Sequence, residues 1–261
     1  MRKVLQMLAK GEISVAEAEK LIRIMAIQEV ENLAKLDNGR EIRKGIPEII
    51  LGDGKSSEDV RDIALKAVVQ MGRVIISRAN NSQVEAIKQA IGPGLSLKGD
   101  ATMRTLVLRK DGFIIDKTGG VIGILTAGTS DIPIAEEVRI VAEEMGCEVM
   151  AAYDVGVAGI HRVFTPLKMM IENHVDVVVV VAGREGALAA AVAGLIDIPM
   201  IGVPTSFSWG LGEKGLSALT SMLQACPLGI TVVNIDGGVA AGAAAALIAN
   251  RGVTARKPSE P

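Results

Sequence analysis

The run Val175–Ala182, VDVVVVVA, has no polar residue after Asp176. A strand apolar on both faces belongs in the middle of a parallel sheet that is covered on both sides. Outward from it, strand-like runs recur at 121–126, 148–153, 199–203 and 230–234. Helix-like runs at 133–145, 165–173, 187–196, 214–225 and 239–249 lie between and after them. Strands alternating with helices imply βαβ units, a parallel sheet and helices on both of its faces. Residues 118–252 are therefore expected to form an α/β domain, followed by a flexible tail at 253–261.

Residues 1–117 read as a smaller helical and α/β domain. Residues 1–36 suggest helices, and Ser14 followed by Glu17 has the spacing of a capping box. The polar, turn-rich stretch 34–45 reads as a linker. Strands are expected at 46–51 and 73–77 and helices at 57–71 and 82–91. Residues 106–108 and 113–115 suggest a hairpin around Asp111-Gly112. No motif in this half ties to a particular chemistry.

The chain of 261 residues is ample for a buried core. It is 49% hydrophobic but only 2% aromatic, so that core must be Val, Ile, Leu, Ala and Met. A net charge of −2 provides no basic field for nucleic acid. The N-terminus has no secretory apolar region, and the apolar runs are broken by Gly, Pro and charges. No membrane span and a cytoplasmic location are expected. Cys147 and Cys226 sit in no CxxC pair, which suggests neither a disulfide framework nor a zinc site. His161 and His174 lack metal-ligand spacing with either of them.

In a parallel sheet the loops after the strands gather on one edge, where ligands bind. That edge would collect 127–131, 154–162, 183–186, 204–210 and 236–238, with most of the unusual polar residues and the lone tryptophan, Trp209. The first loop, Ala127-Gly128-Thr129-Ser130-Asp131, stands where a strand hands over to a helix. Gly128 permits close approach, Thr129 and Ser130 offer hydroxyls, and a helix N-terminus favours an anion. Asp131 has the wrong charge for a phosphate ligand. It reads as a helix cap, as a ligand for a ribose hydroxyl or as a proton carrier. The loop is neither a Walker A sequence nor a GxGxxG fingerprint. Taken alone, Glu185 reads as a solvated loop charge, His161-Arg162 as a surface pair, Trp209 equally as a packed aromatic or as a surface that stacks on a flat ring, and Cys226 as a small buried residue at a helix end.

Longer stretches carry a resemblance. AGTSDIPIAEEV (127–138), GVAGIHR (156–162) and IGVPTS (201–206) resemble the class I phosphoribosylaminoimidazole carboxylase/mutase family of purine synthesis, over about 119–250. YDVGVAGIHR (153–162), AGREGALAAAVAGLIDIP (182–199), SMLQAC (221–226), VVNIDGG (232–238) and LDNGREIRKGIPEIILGDGKS (36–56) resemble another family more closely. These are the pyridinium biscarboxylic acid mononucleotide synthases, the LarB family, which begin synthesis of the nickel-pincer nucleotide. The resemblance runs over nearly the whole chain. It implies a flavodoxin-like, three-layer C-terminal domain behind an additional N-terminal one.

The activity this resemblance implies is carboxylation of the pyridine ring of nicotinic acid adenine dinucleotide by CO2, with hydrolysis of its phosphoanhydride to release AMP. Cys226 matches the family's cysteine, which is taken to add to the ring, and Glu185 matches the acidic residue placed to remove the ring proton; Asp131 is the second candidate base. His161, Arg162 and Arg184 are expected to hold carboxylate or phosphates beside Gly128, Thr129, Ser130 and Gly183, and Trp209 to stack on a flat ring. Nickel enters later in that pathway, so no tightly bound cofactor is expected, with magnesium left open. Cys226 follows the helix expected at 214–225, which puts it at the edge away from the strand-end loops. The mutase relatives form octamers with shared sites, so Cys226 is expected to serve a neighbouring subunit. The small residues at 187–194 and 239–246 suit close helix packing in such a homo-octamer. Trp209 stands in a segment where family members often have Tyr, and Gly237 stands where Asn is frequent. The competing readings are the purine mutase, whose loop has His where this chain has Ala187, and a non-catalytic nucleotide-binding protein on the same fold.

Overall fold

The computed structural model describes residues 2–25, 27–30, 34–37, 40–99 and 104–256. The chain divides into two units, Met1–Ala101 with Leu106–Phe113, and Thr102–Thr105 with Ile114–Pro261.

The first unit opens with α1 (Arg2–Ala9) and α2 (Val15–Met25). The capping box is present: the Glu17 N–H donates to Ser14 Oγ at 3.2 Å and the Ser14 N–H to Glu17 Oε2 at 2.9 Å. The helical expectation for 1–36 then fails. β1 (Ile27–Val30) and β2 (Ala34–Asp37) pair antiparallel, with Ile27 opposite Asp37. β-Branched Ile27 and Val30 favour a strand over a helix; residues 1, 26 and 31–33 of that expectation lie outside the described residues. The expected linker at 34–45 holds β2 and a short helix, α3 (Arg40–Lys44), with 38–39 outside the described residues.

Next come β3 (Ile49–Leu51), α4 (Ser57–Met71), β4 (Arg73–Ser77), α5 (Asn81–Ala90), β5 (Leu95–Lys98) and β6 (Thr105–Lys110). Their sheet has the order β3-β4-β6-β5. The hairpin expected between 106–108 and 113–115 does not form; β6 pairs antiparallel with β5, Leu97 opposite Leu108. Burial decides the pairing. Leu106 and Leu108 are buried in the unit's core with Leu95 and Leu97 packed against it, whereas Ile114 is 81% exposed.

The second unit alternates strand and helix throughout. In order they are β7 (Val121–Thr126), α6 (Ile132–Glu144), β8 (Glu148–Ala152), α7 (His161–Glu172), β9 (Val177–Ala182), α8 (Ala187–Ala193), β10 (Met200–Pro204), α9 (Leu216–Leu223), β11 (Ile230–Val232) and α10 (Gly238–Arg256). The five strands are all parallel, in the order β11-β10-β9-β7-β8, which is flavodoxin-like. β9, the Val175 run, is the central strand and every residue of it is buried. Each fully buried valine side chain contributes on the order of 1.5–3 kcal/mol.

α10 lies on α6 through a face of small residues that includes Gly238, Ala241, Gly242 and Ala245. α8 buries Ala189 and Val192 in the core beneath it. The buried part of each small-residue run thus packs within the chain, while Ala190, Ala191, Ala240, Ala243 and Ala244 keep exposed or half-buried positions. α10 continues through 253–256, and Arg256 ties its last turn to Asp176 at 2.7 Å; residues 257–261 lie outside the described residues.

Candidate active site

β7 and β9 are neighbours, but their chains continue in opposite directions, toward β8 and toward β10. Right-handed crossovers then send α6 and α8 to opposite faces, and a crevice opens at the C-terminal ends of the two strands. A cavity of about 320 Å³ lies there. Its lining includes Gly128, Ser130, Asp131, Gly183, Arg184, Glu185 and Trp209 from among the sequence candidates. Phe207 and the Gly156–Ala158 segment also line it; they lie in the strand-end loops 204–210 and 154–162 expected on this edge, though none was singled out as a site residue.

Asp131 ends a 3-10 turn, Thr129–Asp131, that leads into α6. Its carboxylate is buried and accepts from the Thr205 hydroxyl at 2.7 Å, from the Gly128 N–H at 2.9 Å and from the Gly183 N–H. One side chain therefore clasps the loops after β7, β9 and β10. Burial pushes this carboxyl above its ordinary value; the three hydrogen bonds oppose the shift and nearby Asp236 adds to it. The Gly128 amide is committed to Asp131, so Gly128 offers a ligand close approach rather than a donor. Thr205 was missed as a site residue, although a hydroxyl straight after a strand on this edge was a visible signal.

Gly183 has no room for a side chain. A Cβ there would come within 2.7 Å of Thr205 Oγ1 and 2.8 Å of the Phe207 carbonyl. The next residues turn sharply, with φ of 52° at Arg184 and 68° at Gly186. Glu185, between them, is exposed and borders the cavity. The Arg184 guanidinium lies 4.0 Å from the centre of the Trp209 ring.

The remaining candidates stand outside the lining. Thr129 is exposed on the first loop. His161 and Arg162 begin α7 in exposed positions, and Arg162 is held at 2.6 Å by Asp154. Asp154 is itself fixed after β8 by donating its N–H to Thr126 Oγ1 at 2.9 Å. Cys226 is exposed in the connection between α9 and β11. Met200, the first residue of β10, pairs with Ile230, the first of β11, so Cys226 lies at the N-terminal edge of the sheet, opposite the cavity. Cys147 is buried, donates to Asn250 Oδ1 at 3.3 Å, and has a thiol pushed up to about 11 by burial. It suits packing rather than nucleophilic attack.

Among the described residues no group of three or more His, Cys, Asp or Glu is arranged to hold a metal ion. No helix among them is long and apolar enough to cross a membrane.

Residues 27–110 match the LarB/PurE-like N-terminal domain and residues 121–258 match AIR carboxylase. An uncharacterized protein of Methanocaldococcus jannaschii is 42% identical over 251 residues, 95% of this chain and 96% of its own length. Similarity to two N5-carboxyaminoimidazole ribonucleotide mutases is more limited. The Thermotoga maritima protein is 27% identical over 117 residues, 43% of this chain and 66% of its own. The Pyrococcus horikoshii protein is 29% identical over 118 residues, 44% of this chain and 62% of its own.

Proposed function

This chain belongs to the LarB family, with an AIR carboxylase domain behind a LarB/PurE-like N-terminal domain, and we propose that it carboxylates the pyridine ring of nicotinic acid adenine dinucleotide and releases AMP. The family supports a carboxylase-type enzyme. The substrate and the residue roles are our reading of the site.

The chemical difficulty is that a pyridinium ring and CO2 are both electrophiles. A thiolate that adds to the ring makes a dihydropyridine, whose enamine carbon attacks CO2. A carboxylate then takes the ring proton, and the electron pair of that C–H bond restores aromaticity as the thiolate leaves. Water cleaves the phosphoanhydride, giving AMP and the dicarboxylated mononucleotide. Glu185 suits the base because it borders the cavity and is exposed. Asp131 suits it less, because both of its oxygens already accept hydrogen bonds from the protein.

The observation that carries this reading is the cavity at the β7/β9 switch point, which gathers Ser130, Asp131, Arg184 and Glu185 but has no cysteine in its lining. We assign the thiolate to Cys226 of a neighbouring chain. Exposed apolar residues suit such a contact at both edges. Leu228 is 92% exposed and Leu223 65% exposed near Cys226, and Leu211 is 98% exposed on the loop that carries Trp209. Two unlike surfaces that meet between copies form a head-to-tail interface, which closes into a ring where the rotation between copies permits. A homo-octamer follows if two four-membered rings pair.

The test is purified protein with nicotinic acid adenine dinucleotide and labelled bicarbonate. The expected products are AMP and a mononucleotide carrying the label. AMP without label would leave only a hydrolase. The mutase relatives favour a second reading, and turnover of N5-carboxyaminoimidazole ribonucleotide in place of the dinucleotide would install it.

A further inference from the structure

We propose that Arg184 and Trp209 form a base-stacking subsite that holds the purine half of the dinucleotide and leaves the pyridinium to the part of the cavity bordered by Asp131 and Glu185. The assignment rests on the dinucleotide reading above and adds the orientation of the substrate within the site.

Arg184 has φ of 52°, in the left-handed region. A glycine would adopt that conformation freely, whereas any residue with a Cβ is strained there. The chain nevertheless keeps an arginine, and the turn aims its guanidinium at the Trp209 ring, 4.0 Å away. Trp209 is 72% exposed although it is the chain's one tryptophan and lines the cavity. Its loop is closed on itself: the Ser208 hydroxyl donates to the Gly212 carbonyl at 3.0 Å and accepts from the Gly215 N–H at 3.1 Å. A large aromatic surface is thus held open to solvent on a braced loop beside the cavity, and a flat ligand would cover it.

Charge selects which ring. The guanidinium already brings a positive charge to the indole face, so a pyridinium placed there would meet like charge. A purine is neutral, larger, and stacks well on both indole and guanidinium. The anionic phosphates that follow the purine also fall within the field of Arg184. The pyridinium ring, whose nitrogen stays cationic beside the carboxylate the ring already carries, is complemented by Glu185, which is exposed and borders the cavity.

Because Trp209 is the only tryptophan, fluorescence excited selectively in tryptophan, beyond the absorption of the lone tyrosine, reports on this subsite alone. The full-length protein would be titrated with AMP, with nicotinic acid mononucleotide and with the dinucleotide. AMP and the dinucleotide should quench the emission saturably, and the mononucleotide should not at the same concentrations. Arg184→Ala keeps the reporter and should weaken AMP binding about tenfold, through loss of one of the two flat groups that hold the base; Arg184→Lys, which keeps the charge without the planar group, should not restore it. Equal quenching by the pyridine mononucleotide, no quenching by AMP, or unchanged affinity in Arg184→Ala would each overturn the assignment. Quenching without labelled product would sink the reaction and spare the subsite; labelled product without quenching would do the reverse.

Discussion

Asp131 shows how one residue can be visible in a sequence while its role is not. Strand-to-helix position marked it as a cap, a ligand or a proton carrier, and the choice among these needed partners distant in the chain. Thr205 and Gly183 supply them, and together they make the carboxylate a clasp between loops. Burial raises its folded pKa, so the folded state binds this proton more readily than the unfolded chain does. The stability linked to that proton is full below the ordinary carboxylate range and is lost as pH rises through the raised folded value. Asp131→Asn abolishes the titration. Its denaturant midpoint should therefore lack the decline that is expected of wild type from about pH 4 upward. Parallel declines in both proteins would show that another group titrates. Glu185→Gln should behave differently, keeping the wild-type stability profile while kcat falls by about 10²–10⁴-fold, the usual contribution of a general base. The Arg184–Trp209 contact was equally out of reach of sequence reading, because residues that far apart reveal no stacking until the loops fold.

At the scale of elements, the sequence was most legible where burial is two-sided. The Val175 run dictated β9, and the alternation around it dictated the parallel sheet, because apolar faces on both sides leave no other home for the strand. The first unit was harder to read. β5 is half-buried on alternate residues only, so the β5–β6 pairing followed from packing against the unit's core that local pattern does not encode. α10 allows a sharper test of packing. Glycine inside a helix normally costs about 1 kcal/mol relative to alanine, so Gly242→Ala should stabilise the chain if the site were open. The added Cβ would instead lie 2.8 Å from the Val138 carbonyl oxygen and 2.9 Å from Val141 Cβ on α6. Backbone cannot yield as a flexible side chain does, and overpacking of this kind costs about 1–3 kcal/mol. Close packing should win, so Gly242→Ala is expected to lower the denaturation midpoint, and a raised midpoint would show that α6 and α10 have room to separate.

At the scale of the whole molecule, the site as proposed is incomplete in one chain. The carboxylates and the cavity lie at the C-terminal edge of the sheet and Cys226 at the N-terminal edge, with the strands between them. Topology alone made that separation legible in the sequence, since a residue between a crossover helix and the next strand falls at the strand's N-terminal end. A shared site makes a prediction that an intrachain site cannot imitate. Cys226→Ser replaces the thiol with a hydroxyl that is hardly ionised near neutral pH, and it should abolish carboxylation without changing the assembly. Cys147→Ser should remain active. Glu185→Gln should be nearly inactive for its own reason. When Cys226→Ser and Glu185→Gln chains are co-expressed, some sites pair the intact glutamate of one chain with the intact cysteine of another. Random mixing in a closed ring should then restore about a quarter of the wild-type rate per site. If each chain served its own site, every site would keep one defect and the mixture would stay as inactive as its parents. The measurement is the yield of labelled mononucleotide from co-purified hybrids, with sedimentation confirming that both variants have entered one assembly.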